Sequence, residues 1–383
     1  MPRKALEQLR EVMGDVPDPR RQCKNLLHRL TDILVIGFCA VLCGCEDFEE
    51  IEDFGIAKRD FFGTFLELPN GIPSHDTFRR VFQVVNPQAL QTCLVAWLAE
   101  LRGAAAADQD KVIAIDGKTL RRTFDRRRSL GALHLVSAWA TEAGLTLGQV
   151  AVADESNEID AIPRLLEMLE LQGAVVTIDA AGCQKAIAEK IVEKQGDYVL
   201  ALKGNQPTLH EQVLEYFEQQ QEASRPARGV RHERRCEQGH GRSETREVWV
   251  APVPTDLAGL SDWAGLTSIA LVVHETTDLV TGEIAGEARC YISSLPPKVK
   301  RIAHAIRSHW RIENSLHWVL DVVFHEDNLR LRDRTAVQNL ALLNRLAVSV
   351  LKQDTTRKAS IKNKRKTAGW NTDYLKHLLH MRS

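Results

Sequence analysis

Two aspartates in this 383-residue sequence stand where an apolar run stops. Asp116 ends KVIAID and precedes Gly117; Asp179 ends AVVTID and precedes Ala180-Ala181-Gly182. Short apolar runs of this kind read as buried strands, and a carboxylate at the end of a buried strand is costly unless it is paired or holds a cation. Taken singly, each is equally well a strand-end turn residue. Side by side at one sheet edge, they offer the hard oxygen donors that a divalent cation such as Mg²⁺ prefers, with positions left over for water and phosphate. A third candidate, Glu313, lies in the helical stretch IRSHWRIENSLHWVLD, where His309, Trp310 and His317 fall at i−4, i−3 and i+4 and share its face. A carboxylate flanked by two imidazoles and an indole can hold a metal, contact phosphate and stack on a base. The plainer alternative, a core stripe with satisfied histidines, would be preferred without the two aspartates.

The elements that must position these residues are legible from periodicity. Up to about residue 105, apolar residues recur at helical spacing from Leu26 to Val41, Phe48 to Phe65 and Phe78 to Leu98, which predicts an all-α unit. Its break PNGIPS leads into HDTFRRVFQVV with Ser74 as helix N-cap. This is either a helix-turn-helix or an ordinary αα-hairpin, and the length of the turn favours the hairpin. From Lys111 the pattern becomes strand-like: 111–116, 133–141 and 145–153, the last two joined by a Glu142-Ala143-Gly144 hairpin loop. A helix from Ala161 to Leu171 follows, capped by Asp160 with Pro163 in its first turn and Gly173 beyond its end. Then come a fourth strand (174–179), a helix with Ile187 and Ile191 on one face, and a fifth strand (198–203). The order β-β-β-α-β-α-β predicts an α/β fold with a mixed five-stranded sheet, as in an RNase H-like core, rather than a doubly wound nucleotide-binding fold. No glycine-rich phosphate loop follows any of these strands.

The expected organisation is a helical domain over 1–105 with possible DNA-binding character, a first core segment over 106–219, a β-rich inserted subdomain over 220–298, a second core segment with the glutamate helix over 299–352, and a basic tail over 353–383. The second core segment holds one strong helix from Lys298 to about Phe324 and another from Ala336 to Leu351. The stretch from Thr355 to Thr367 lacks periodicity and reads as a loose tail or a phosphate-contacting arm.

Bulk properties exclude several classes. The hydrophobic share of 44% and charged share of 26% fit a globular protein. The longest apolar stretch, Ile33 to Cys45, is too short to span a bilayer, and charges occupy the amino terminus where a secretory signal needs its apolar region. A cytoplasmic, nucleoid-associated location is expected, with no membrane partner. The cysteines at 23, 39, 43, 45, 93, 183, 236 and 290 are scattered in mostly apolar surroundings and read as reduced thiols; the close trio Cys39, Cys43 and Cys45 has no second Cys/His pair at zinc-finger spacing. The formal net charge of −1 hides basic clusters at 121–128, 225–246 and 357–366. Each alone reads as solvated surface; together they are equally consistent with stripes that neutralise phosphates.

Six segments taken in order, GIPSHDTFRRVF (71–82), IAIDGKTLRRTFD (113–125), VTIDAAGCQKAIAEKI (176–191), YVLALKGNQP (198–207), HGRSETREVWV (240–250) and HWRIENSLHWVLDVVFHED (309–327), resemble the DDE transposases of bacterial insertion sequences, in particular the H-repeat-associated, ISAs-type group. The resemblance covers nearly the whole chain. It implies an RNase H-like core interrupted by a β-rich insertion before the glutamate helix, with Asp116, Asp179 and Glu313 as catalytic and metal-holding carboxylates. It also implies two Mg²⁺ or Mn²⁺ ions, double-stranded DNA (element ends and target) as substrate, and a homodimer on that DNA. Phosphate contacts are expected from Lys118, Arg121, Arg122 and Lys203, and DNA contacts from His309, Trp310, His317 and Trp318. One departure stands out: where many related transposases carry tyrosine, arginine and lysine around the glutamate, this chain has Ile306, His309 and Leu320. An RNase H-like nuclease without joining activity, and an inactive DNA-binding relic of a mobile element, are the alternative expectations.

Overall fold

Alternation of short β-branched runs with amphipathic stretches forces helices onto a sheet, because each buries only one apolar stripe. The computed structural model describes residues 3–21, 26–102, 111–239, 241–255, 257 and 259–380. Cys23, His240 and the expected boundary at 105/106 lie outside the described residues. In chain order the elements are α1 (Arg3–Gly14), α2 (Leu30–Cys43), α3 (Phe48–Ala57), α4 (Arg59–Phe62), α5 (His75–Val84), α6 (Pro87–Arg102), β1 (Val112–Leu120), β2 (Leu133–Ala140), β3 (Leu145–Ala151), α7 (Glu158–Glu167), β4 (Val175–Ile178), α8 (Lys185–Glu193), β5 (Asp197–Leu202) and α9 (Pro207–Glu222). There follow β6 (Arg231–Gly239), β7 (Arg242–Pro252), β8 (Ser268–Asp278), β9 (Ile284–Ser293), α10 (Val299–His309), a π-helical turn (Glu313–His317), α11 (Trp318–Val322), α12 (Arg334–Gln353), α13 (Ile361–Trp370) and α14 (Thr372–Leu378).

The chain forms two compact units. The first comprises 1–108, 117–155 and 313–383; the second comprises 109–116 and 156–312. In the second unit β1, β4 and β5 are parallel neighbours, paired Ile115 to Ile178 and Ile178 to Leu200. β9 then pairs antiparallel with β5, and β8, β7 and β6 follow antiparallel in turn. The strands of the segment expected to be a β-rich insertion continue this sheet, with β9 supplying the backbone groups that pair with the edge of β5. α10 covers one face: Ile302, Ala305 and Ile306 pack with Val112, Val175, Val199, Val272 and Tyr291.

The first unit is built around α12. This helix packs against α2, α5, α6 and β3, and its residues Arg345 and Ser349 are wholly buried. Arg345 donates to Glu326 at 2.8 Å, to Ser137 on β2 at 3.1 Å and to the carbonyl of Ala341 at 3.0 Å. Both members of the Arg345–Glu326 pair have no exposed side-chain surface. β2 and β3 form the expected antiparallel hairpin, with Gly144 at φ +65° in its loop, a conformation that glycine adopts without steric cost.

Three expectations need correction. The helix foreseen from Ala161 begins at Glu158, since the Asn157 side chain accepts from the Ile159 amide and caps it there; Pro163 thus lies inside the helix. The single helix foreseen from Lys298 to Phe324 is broken, with α10 ending at His309 and a π-helical turn starting at Glu313. The basic stretch 355–367 is not a loose arm. Its second half begins α13, where Lys364 donates to the Leu351 carbonyl and Arg365 to those of Val41, Val323 and Cys45, and the Arg365 guanidinium lies 4.0 Å over Phe324. The cysteines described are all free; burial pushes the Cys183 and Cys290 thiols up to about 12, which keeps them protonated and unreactive.

Removing one partner of a buried ion pair strands the other charge, whereas removing both does not. Arg345→Met is expected to cost about 3–5 kcal/mol in urea unfolding. The double variant Arg345→Met/Glu326→Leu should recover most of that loss, and a double variant as unstable as the single one would refute the pair's role.

Candidate metal centre

Parallel pairing of β1 with β4 fixes the second unit's site. Because Ile115 is the register partner of Ile178, the next residues, Asp116 and Asp179, lie side by side at the carboxyl edge of β4, where open α/β sheets hold their ligands. The strand expected to end at Asp116 runs on to Leu120, so Asp116 sits inside β1 where its pairing with β4 stops. Asp179 is held in place by its own loop: its Oδ1 accepts from the amides of Ala181 at 3.1 Å and Gly182 at 3.4 Å. A Cβ at Gly182 would sit 2.4 Å from Ile178 Cγ2 and 2.8 Å from Ile162 Cδ1, so only glycine lets this loop close under the carboxylate. Beyond β5, Asn205 donates to the Ala180 carbonyl and Gln206 to that of Cys183 at 3.2 Å, which ties the loop to the next strand end.

The electrostatics are those of a site short of positive charge. The Asp179 pKa is raised above the usual carboxylate range, first by burial and then by the negative charges of Glu158 and Asp116; the Gly182 amide and His309 oppose the shift. Hard oxygen donors forced together in this way fit a divalent cation, which removes the repulsion that protonation would otherwise relieve. His309, at the end of α10, shares a 3.1 Å hydrogen bond with Thr177 Oγ1 on β4 and so brings the carboxyl end of α10 alongside Asp179. The chain then runs through Trp310, Arg311 and Ile312 to Glu313. Trp310 is half exposed and its ring is covered at 4.0 Å by the Arg289 guanidinium. Lys203, immediately after β5, is exposed at the same carboxyl edge.

In the first unit, the π-helical turn presents Glu313 as exposed and His317 as buried. Such turns re-aim side chains that a regular helix would hold apart and are frequent at functional sites. Trp318, at 54% exposure, points to solvent. Lys118 is buried, with its ammonium 2.6 Å from Asp321 on α11 and 3.4 Å from Asp327. Its charge is thus committed within the protein, tying β1 to the helix after Glu313. Arg121 is 81% exposed and only loosely paired with Asp327 at 3.4 Å, and Arg122 is exposed.

Sequence reasoning missed Glu158, Asp321 and Asp327. Glu158 opens α7 after the Asn157 cap, a placement that a cap-based reading reaches once the correct cap is chosen. Asp321 and Asp327 carry no periodic signal, since their partner Lys118 is some 200 positions away in sequence.

Comparison with known proteins identifies a family. The family model described as "Transposase DDE domain" matches residues 107–350, and one described as "DDE_Tnp_1-associated" matches residues 10–98. The chain is 38% identical over 379 residues to the "H repeat-associated putative transposase YhhI" of Escherichia coli (strain K12), covering 98% of each. It is 46% identical over 281 residues to the "Uncharacterized protein in dhlA 3'region" of Xanthobacter autotrophicus, covering 73% of this chain and 92% of that one. Among solved structures, a piggyBac transposase synaptic complex with hairpin DNA aligns with 99% of this chain and 80% of its own at 9% identity and a TM-score of 0.46.

The raised pKa gives a signed prediction. Above the ordinary carboxylate range, ionised Asp179 costs the folded state free energy that the unfolded chain does not bear, and the cost grows as pH rises towards the raised value. At neutral pH in chelator, Asp179→Asn should therefore raise the melting temperature by about 1–4 °C. Added Mn²⁺ should stabilise the native sequence and not the variant. A variant that melts lower in chelator would show that Asp179 is not under repulsion.

Proposed function

Because the chain belongs to the DDE transposase family, we propose that it cuts DNA at the ends of an insertion sequence and joins those ends to target DNA. The observation that carries this reading is the pair Asp116 and Asp179 beside each other where the parallel pairing of β1 and β4 stops, with the Asp179 carboxyl pushed up by burial and by the charges of Glu158 and Asp116. An RNase H-like core is the fold that this reading assigns to the sheet.

In this proposal Glu313 supplies the third carboxylate, and His317, on the same turn, is a further donor of a type that metal ions accept. Divalent cations held there, Mg²⁺ or Mn²⁺ and two in number, would lower the pKa of bound water and clamp attacking and leaving oxygens in an in-line displacement. The chain's own residues do the rest. The carboxylates would hold the ions that face the scissile phosphate, and no side chain serves as covalent nucleophile. Lys203 at the β5 end, with Arg121 and Arg122 beyond β1, hold flanking phosphates in register. Lys118 acts at one remove, by fixing α11 through Asp321. Joining two element ends requires both to be held at once, so the working form is a homodimer on double-stranded DNA, acting at the nucleoid.

Purified protein incubated with labelled DNA from both flanks of its own gene tests this reading. Metal-dependent nicking at the ends and joined products, both absent in chelator and reduced at least 10³-fold in Asp179→Ala, are expected, on the order of what loss of a central electrostatic group costs catalysis. Cutting without joining would instead make the protein a nuclease, and binding without cutting would make it a relic.

A further inference from the structure

The second unit contains a cavity of about 400 Å³ between α10 and the strands β6 to β9, and neither aspartate lines it. Strand register builds its floor. Arg235 on β6 lies opposite Arg246 on β7, and Arg246 opposite His274 on β8. Like charges directly opposite on neighbouring strands are destabilising, and here only part of the cost is met internally. Arg235 pairs with Glu233, and Arg289 on β9 pairs with Glu287 at 2.6 Å. The Arg246 side chain makes no hydrogen bond or ion pair among the described residues.

α10 builds the wall. Its apolar stripe of Ile302, Ala305 and Ile306 packs on the sheet, while Lys300 and Arg307, seven residues apart, face the cavity, and Arg311 extends the row beyond the helix end. Lys300 and Arg307 are also without a hydrogen bond or ion pair among the described residues. A helix could meet its solubility needs with cations on the opposite face, and a sheet has no folding reason to set arginine against arginine. Both elements aim unengaged cations into one groove.

The dimensions select the ligand. At about 1.5 Å per residue, the row from Lys300 to Arg311 spans roughly 16 Å, more than one phosphate occupies and enough for several charges of a strand that carries one about every 3.4 Å. The Trp310 indole with Arg289 stacked on it gives the mouth a flat surface, which suits a nucleotide better than an acidic peptide. We propose that this groove binds the phosphodiester backbone of one DNA strand, with Arg246, Lys300 and Arg307 as its phosphate contacts. The proposal rests on the DNA-processing reading above, but requires neither metal nor catalysis.

The test is fluorescence anisotropy with the full chain and a labelled oligonucleotide, single-stranded and duplex, in EDTA at about 50 to 200 mM salt. The double variant Arg246→Gln/Arg307→Gln is compared with Arg164→Gln/Lys190→Gln, which removes the same charge from α7 and α8, outside the groove and outside the basic clusters. The groove variant should lose about 1.4–1.8 from the slope of log affinity against log salt, that is about 0.7–0.9 per contact, and bind more weakly at low salt; the control should keep both. Arg307→Lys, which retains the charge, should keep the slope and serves as the second variant if the double one melts early. An unchanged slope in the groove variant, or an equal loss in the control, overturns the proposal. So does displacement of the strand by tripolyphosphate or polyaspartate at matched charge, which would assign the groove to free phosphate or to an acidic peptide. The two readings fail separately: a groove-dependent slope in a protein that cuts nothing leaves this inference standing and removes the catalytic one.

Discussion

The structure turns on a repulsion. Parallel pairing of β1 with β4 places Asp116 and Asp179 side by side where that pairing stops, and burial makes the neighbourhood of two carboxylates expensive. A protein selected for stability alone would put turn-forming neutral residues there. Instead, local structure is spent on keeping Asp179 in position: a glycine that admits no Cβ, two amides aimed at its oxygen and side chains from beyond β5 that tie the loop down. Pre-placed like charges of this kind are relieved either by a proton or by a cation; on the proposed reading the cation takes that place, and the folded state gains stability when it binds.

A second constraint operates within the first unit. The segment after Glu313 is anchored by charges taken out of water. Glu326 is buried against Arg345, and Lys118 is buried against Asp321 and Asp327. Buried pairs contribute little net stability compared with apolar packing, but breaking one partner is severe. They therefore fix position more than they add stability: α11 can shift relative to β1 only by uncovering Lys118. The π-helical turn at Glu313 belongs with this arrangement, since it replaces the regular helical spacing at the residue whose direction the proposed chemistry depends on.

Much of this was readable in advance because it depends on local pattern. Strands β1 to β5 fall within a few residues of their expected places, and so does the hairpin between β2 and β3, since apolar runs bounded by turn residues leave few alternatives. The sequence places both aspartates where apolar runs stop, and only the pairing of β1 with β4 puts them side by side. Where the reading failed, the information was non-local. Nothing in the sequence of β9 says that it will pair with β5, so the segment is legible as β-rich but its continuity with the core sheet is not. The residues from Ile361 to Trp370 looked structureless because their apolar partners are few, and the helix there is held by Lys364 and Arg365 donating to carbonyls more than 300 positions away in one case and some ten in another. Lys118 looked like a phosphate ligand because its acidic partners lie some 200 positions on.

The same distinction explains why a net charge of −1 is a poor guide to this chain's partners. A cation counts towards a partner only if the fold does not use it. Lys118, Arg345, Lys364 and Arg365 are buried and engaged, while Arg246, Lys300 and Arg307 are left open on one groove of the second unit. Acidic residues divide likewise, between those that neutralise buried cations and those that collect where the pairing of β1 with β4 stops. The sum over both sets is near zero, yet the fold separates them into a concentrated negative site suited to a cation and a concentrated positive groove suited to a polyanion. Phosphoryl transfer on nucleic acid needs both kinds of surface, and only the tertiary structure shows which charges remain available for it.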